Sequence, residues 1–168
     1  MDAQDYVAFE MPNGEVRPKN HCGVPQVLDY QEGAVATVLI YPGIPAAVID
    51  GVLNDERLRA ILLLSFGSGN IPTASSDIGE ALKRAHDKGL LLVNMTQCLR
   101  GRVIQGAYAT GALLAELGAL PGLDMTPEAA FAKLHYLFAK GADKKAVEAQ
   151  WQQPLCGELQ PWEELQPS

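Results

Sequence analysis

The side chains of this chain that could do chemistry gather at the ends of apolar runs: Tyr41, Ser65, the tetrad Gly67-Ser68-Gly69-Asn70, Asn94, Thr96, Gln97 and Cys98. Serine, threonine and cysteine offer nucleophilic atoms, and amides and hydroxyls offer hydrogen bonds. Two glycines one residue apart let the backbone take positive φ and turn N–H groups inward, toward an anion or a neighbouring backbone. A strand-to-helix turn that uses glycine for steric reasons alone gives the same pattern. Acyl transfer asks for more, because a nucleophile must lie within reach of a base. Ser65 has no Gly-x-Ser-x-Gly elbow around it and no histidine on a neighbouring loop to take its proton. Cys98 meets the same objection and reads as a small, buried packing thiol. His86 and His135 fall inside helical patterns and read as surface or edge residues, Lys133 and Lys140 as a solvated helix face, and Asp124 as a loop or capping acid. No catalytic residue is assigned on this basis.

Nucleotide and metal motifs are excluded in the same way. The dinucleotide fingerprint needs a third Gly or Ala where this chain has Pro72, and no Gly-Lys-Ser/Thr follows to make a phosphate loop. Cys22, Cys98 and Cys156 are an odd, widely spaced set without a C-x-x-C. That spacing speaks against a disulfide framework and against zinc, and it suggests free thiols in a reducing cytosol. His21 beside Cys22 has no second ligand pair at metal spacing. No metal and no cofactor are expected.

The elements that must position the polar tetrad are strands alternating with helices. AILLLS (60–65) is a continuous apolar run ended by Ser65, the signature of a parallel strand covered on both faces. AVATVLI (34–40) and LLLVNM (90–95) read as buried strands of the same kind. A helix with Pro45 in its first turn follows the first, one from about Asp77, with Glu80 completing a capping box, follows the second, and one over 108–117 follows the third. Gly122 to Met125 reads as a short extended piece. Thr126 as N-cap and Pro127 at the first helical position open the clearest helix, which carries Ala130, Phe131, Leu134, Leu137 and Phe138 inward and ends at Gly141. A short helix over 142–151 precedes a proline-broken acidic tail. Such alternation implies an α/β fold, a three-layer, Rossmann-like sandwich with a small parallel sheet flanked by helices. Residues 1–33, broken by prolines, read as a linker-like arm with a short strand at 6–11, residues 34–159 as the α/β domain, and 160–168 as a tail.

Composition fits one globular domain. The 168 residues are 48% apolar and carry a formal charge of −7 with no basic stripe. Nucleic acid and anionic membrane surfaces are thereby poor partners. The amino terminus has acids where a signal peptide needs bases, and no apolar run approaches the roughly 18 residues of a membrane span. A cytoplasmic location is expected.

One known family shows the same order and spacing of segments. YPGI (41–44), SFGSGN (65–70), LLVNMTQCLRG (91–101), YATG (108–111), GLDMTPEAAFAKLHYLF (122–138) and GEL (157–159) resemble the C-terminal domain of cytosolic type I L-asparaginases over 34–159, most of the chain. The resemblance implies a domain that helps to close the active site of a neighbouring subunit, with Ser68, Gly69, Asn70 and Tyr108 in the substrate-binding region. It implies a homo-oligomer, L-asparagine as substrate, and an amino-terminal domain as the partner that carries the threonine nucleophile. The family's Thr-Gly-Gly-Thr and Gly-Thr-Asp-Thr segments do not occur here. Some members hold a second, regulatory asparagine whose lining corresponds to the Ser65 and Cys98 regions; the Arg or Glu common beside that serine is Leu64 here.

Three functions stay open at this level. The chain is the C-terminal part of an asparaginase, inactive without its catalytic partner, or a freestanding amino-acid-binding domain, or an assembly domain that supplies subunit contacts alone.

Overall fold

A computed structural model describes residues 28–67, 69–71, 76–98, 103 and 112–160. Four parallel strands make one sheet in the order β1 (Val35–Leu39), β2 (Ala60–Ser65), β3 (Leu91–Thr96) and β4 (Leu120–Pro121). The connecting helices are α1 (Ala47–Val52), α2 (Ser76–Asp87) and α3 (Ala112–Glu116), and α4 (Pro127–Ala139) and α5 (Lys144–Gln150) follow the last strand. The expected α/β sandwich is therefore present, and its layers follow from handedness. Right-handed crossovers that always step the same way across a sheet put every connecting helix on one face. Ile49 and Leu53 of the α1 region, Ile78, Ala81, Leu82 and Ala85 of α2, and Leu114 of α3 accordingly share one core cluster with Ile61, Leu63 and Leu92. The other face, lined by Leu62, Leu91, Val93 and Met95, is covered by Leu134, Leu137 and Phe138 of α4 with Val147 and Trp151.

The two central strands are buried on both faces, as continuous apolar runs require. β1 departs from that reading. It is an edge strand in which Val38 is buried while Thr37 is exposed and Leu39 is 53% exposed, because the α4–α5 layer stops short of its carboxyl half. Smaller departures concern element ends. α1 begins at Ala47 with Ala46 as a non-bonding N-cap, so Pro45 lies just outside the helix. α2 begins at Ser76, which puts Asp77 inside the first turn rather than at the cap. The extended piece is Leu120–Pro121, and Leu123-Asp124 form a turn after it. Of the helix expected over 108–117, the described part is α3; the strand expected at 6–11, with His21 and Cys22, lies outside the described residues. The Thr126 cap of α4 is as expected, its hydroxyl accepting the Ala129 N–H at 3.2 Å.

Two side chains of α4 overturn their sequence reading. Lys133 is buried, not solvated. Its ammonium donates to Trp151 O (2.8 Å), Gln153 O (2.7 Å) and the Glu158 carboxylate (2.7 Å). It lies on the buried stripe of α4 with Ala130, Leu134 and Leu137. His135 is buried as well, stacked on Tyr30 at 4.5 Å and against Phe131 at 4.5 Å, with both ring nitrogens unpartnered among the described residues. Burial lowers its pKa, so the neutral imidazole is the form that packs.

Glu158 makes the carboxyl-terminal segment part of the core. Burial alone would raise its carboxyl, but the Cys156 N–H, the Lys133 ammonium and the Leu155 N–H outweigh burial and hold it at about 2. The folded value lies below the ordinary 4.5, so this stabilisation is complete above about pH 4.5 and is lost as pH falls toward 2. Burial pushes the Lys133 ammonium downward despite Glu158, as expected of a cation that loses water. Glu158→Gln leaves that cation buried without its counter-charge and is expected to cost about 3–5 kcal/mol by urea unfolding at pH 7. The difference from wild type should shrink as the titration is repeated toward pH 3.

Candidate functional site

The sequence places its polar residues at strand ends, and the sheet brings part of that set together at the carboxyl ends of β2 and β3. Ser65 pairs in register with Thr96 and Leu63 with Asn94, so Ser65 and Asn94 point to the same face from neighbouring strands. Ser65 Oγ lies 2.6 Å from Asn94 Oδ1 and 2.7 Å from Met95 O, and its single proton serves one or the other. The Asn94 amide donates to Gly69 O at 3.0 Å. Thr96 Oγ1 donates to Gly67 O at 2.5 Å and accepts the Cys98 N–H at 2.9 Å. Gln97 Nε2 reaches Ile40 O (2.5 Å) and Leu64 O (2.7 Å), fastening the end of β3 to the ends of β1 and β2.

These bonds hold the glycine turn in place. Gly67 has φ of 48° and Gly69 of 114°, conformations that side-chain-bearing residues rarely adopt. A Cβ at Gly69 would stand 2.7 Å from Asn94 Nδ2 and 2.8 Å from Val103 Cγ1, whereas one at Gly67 would have only Asn70 Nδ2 near it among the described residues, at 3.9 Å. Gly67 thus answers to backbone conformation, and Gly69 to conformation and close packing together.

The inward-facing N–H cradle expected from the two glycines does not form among the described residues. The Gly69 and Asn70 N–H groups both donate to Phe66 O, at 2.9 and 2.8 Å, and the Phe66 N–H donates to Asn70 O at 2.9 Å. A tight antiparallel bridge has consumed these donors. Asn70, which closes this bridge, is half-buried. Ser68 and Tyr108 lie outside the described residues.

Ser65 is wholly buried and spends its hydroxyl on the network, which makes it a structural group in this geometry. Cys98 is exposed, not the buried thiol expected, because the chain leaves the sheet after Thr96. The pair expected to line a regulatory site therefore consists of one committed buried hydroxyl and one exposed thiol. Asp124 accepts the Gln160 N–H at 3.1 Å and so ties down the carboxyl-terminal segment, a loop role as expected. Among the described residues no group of three or more His, Cys, Asp or Glu could hold a metal ion, and no helix is long and apolar enough to cross a membrane.

Residues 34–150 match the family model of the glutaminase/asparaginase C-terminal domain. The chain is 42% identical over 127 residues to L-asparaginase 1 of Escherichia coli K12, covering 76% of this chain and 37% of that one. It is 35% identical over 150 residues to a glutamyl-tRNA(Gln) amidotransferase subunit of Aeropyrum pernix, covering 89% of this chain and 34% of that one. The crystal structure of L-asparaginase I from Vibrio cholerae superposes with a TM-score of 0.73 at 40% identity, over 89% of this chain and 44% of that one. The chain thus spans about a third of the length of these curated relatives.

Gly67→Ala is expected to cost about 1–2 kcal/mol from left-handed strain alone. Gly69→Ala should cost clearly more, since it adds contacts under 3 Å to that strain. Equal losses in thermal or urea unfolding would show that Asn94 and Val103 yield freely to the new methyl group.

Proposed function

Because the chain belongs to the glutaminase/asparaginase family through its C-terminal domain, we propose that it completes the substrate site of an L-asparaginase. The domain, taken as residues 34–159, acts together with an amino-terminal catalytic domain that supplies the threonine nucleophile. The reaction is hydrolysis of the asparagine side-chain amide to aspartate and ammonia, in the cytosol, by a homo-oligomer.

The observation that carries this reading is the turn at the end of β2. A strand buried on both faces ends in two glycines of positive φ, Gly67 held by the Thr96 hydroxyl and Gly69 by the Asn94 amide. In open parallel sheets ligands bind at the carboxyl ends of the strands, where this turn projects. Asn70 carries donors and an acceptor on one short side chain, suited to the ammonium and carboxylate of a free amino acid. In the proposed assembly Ser68, Asn70 and Tyr108 face the substrate while the buried Gly69 shapes the turn that carries them, and Ser65 and Cys98 are the counterparts of a regulatory lining. Support for a neighbouring domain comes from the uncovered apolar side chains near the same end of the sheet, Leu39 at 53% and Tyr41 at 43% exposure. We place the amino-terminal domain against them.

The similarity to an amidotransferase favours a second reading of the substrate, in which the same turn receives glutamine. The chemistry is unchanged, and the two amides differ by one methylene.

The isolated chain should release no ammonia from asparagine or glutamine, since no activated nucleophile stands at the turn among the described residues. Combined with an asparaginase amino-terminal domain, it should restore hydrolysis. Asn70→Ala should then lower kcat/KM at least about tenfold, the worth of a hydrogen bond to a charged group, with Tm nearly unchanged. Loss of Tm would make Asn70 a turn-stabilising group. Unchanged Tm together with unchanged activity would remove it from the site.

A further inference from the structure

A second feature lies at the opposite end of the sheet. A cavity of about 220 Å³ opens between the start of β2, the turn after α2, and the α4–α5 junction. Its lining includes Arg59, Lys88, Lys144, Phe138 and Asp143. β2 itself spans about 17 Å at about 3.3 Å per residue, with the cavity before its start and the glycine turn beyond its end.

The cations of this cavity are bonded unlike others of the chain. Arg57, Lys83, Arg84 and Lys133 each hold a carboxylate, from Asp55, Glu80, Asp50 and Glu158 respectively. Among the described residues, the cavity's three cations bond only neutral oxygens. Arg59 donates to Ala142 O at 2.7 Å and Gln31 Oε1 at 3.2 Å, Lys88 to Leu53 O at 2.8 Å, and Lys144 to Leu90 O at 3.3 Å. Arg59 is also fixed over the Phe138 ring, 4.1 Å from its centroid, so its guanidinium plane is pre-oriented. These bonds anchor the side chains and leave most of their N–H donors uncommitted. The acid of the lining, Asp143, turns its carboxylate onto the Ala146 N–H at 2.8 Å, capping α5.

In a chain of net charge −7, carboxylates are plentiful and three adjacent cations repel one another. A local excess of positive charge, built on anchored side chains around a concavity, fits an anion from solution. We propose that this cavity is a second binding site, for a small dianion with clustered oxygens, either a phosphate ester or a dicarboxylate. The N–H groups of Arg59 that Gln31 and Ala142 leave uncommitted donate to the anion, and Lys88 and Lys144 supply point charges from the other walls. The charge of three cations and one acid matches a dianion better than a single carboxylate. The volume suits a molecule of metabolite size, and the site is separate from the amino-acid site at the other end of β2.

The test uses the full chain, titrated calorimetrically with inorganic phosphate and, separately, with succinate, at matched ionic strength in chloride. Saturable binding of one or both is expected, weakening as sodium chloride is added. Phosphate alone assigns the ester class, succinate alone the dicarboxylate class, and both the shared chemistry. Lys88→Gln with Lys144→Gln should weaken binding at least tenfold at unchanged circular dichroism. Lys88→Gln alone, on an exposed side chain, should weaken it by a smaller factor and serves as the control should the double variant lose structure. Absence of saturable binding by either anion overturns the proposal. So does equal affinity in wild type and variants.

Discussion

The geometry of the candidate site depends on one constraint: strands covered on both faces leave no water to satisfy a polar side chain, so each such group must find its partner inside the sheet. β2 and β3 are such strands, and Ser65 and Asn94 are buried polar residues on them. Ser65 Oγ stands 2.6 Å from Asn94 Oδ1 and 2.7 Å from Met95 O, and the Asn94 amide nitrogen reaches out of its strand to donate to Gly69 O. A requirement of burial is thereby turned into a fixed position for the loop beyond. Thr96 does the same for Gly67. The turn that meets solvent is consequently shaped from below, by side chains that are themselves almost wholly withdrawn from it.

The same requirement is met in the layer that α4 and α5 form on the other face of the sheet. Lys133 is on the inward stripe of α4, where a charge is tolerable only if every proton finds an acceptor. Trp151 O, Gln153 O and Glu158 provide three, and Glu158 in turn collects the N–H groups of Leu155 and Cys156. The indole N–H of Trp151 meets Pro121 O at 2.7 Å, which connects this network to β4. Residues after α5 that carry no regular secondary structure are in this way held against the sheet by directed bonds as well as by the apolar contact of Leu159.

How far this is legible in the sequence depends on the range of the interactions. Local signals translate directly: the unbroken apolar runs become the double-covered strands, and Thr126-Pro127 becomes the start of α4. Family resemblance carries the fold and the position of the turn. Lys133 and His135 escape a sequence reading because helical periodicity names a face but not what will cover it, and the charged partner of Lys133 lies 25 residues away. β1 looks buried because its composition matches that of β2, whereas edge position is decided by strand order, which no local window contains. The fate of the Gly69 and Asn70 N–H groups is equally hidden, since a bridge to Phe66 and a cradle for an anion have the same glycine spacing.

The winding of the sheet has a consequence for how the chain is made. The connecting helices α1, α2 and α3 pack on one side, so the layer they build is complete once α3 and β4 have emerged from the ribosome. The reverse side, with Leu62, Leu91, Val93 and Met95, waits for α4 and α5. During that interval a nascent chain displays an apolar sheet face with no cover of its own. Such a face is the surface that chaperones hold and that nascent chains use to stick to one another. The segment from α4 onward therefore decides whether the emerging chain escapes that hazard, and a chain that ended before α4 would be a half-sandwich.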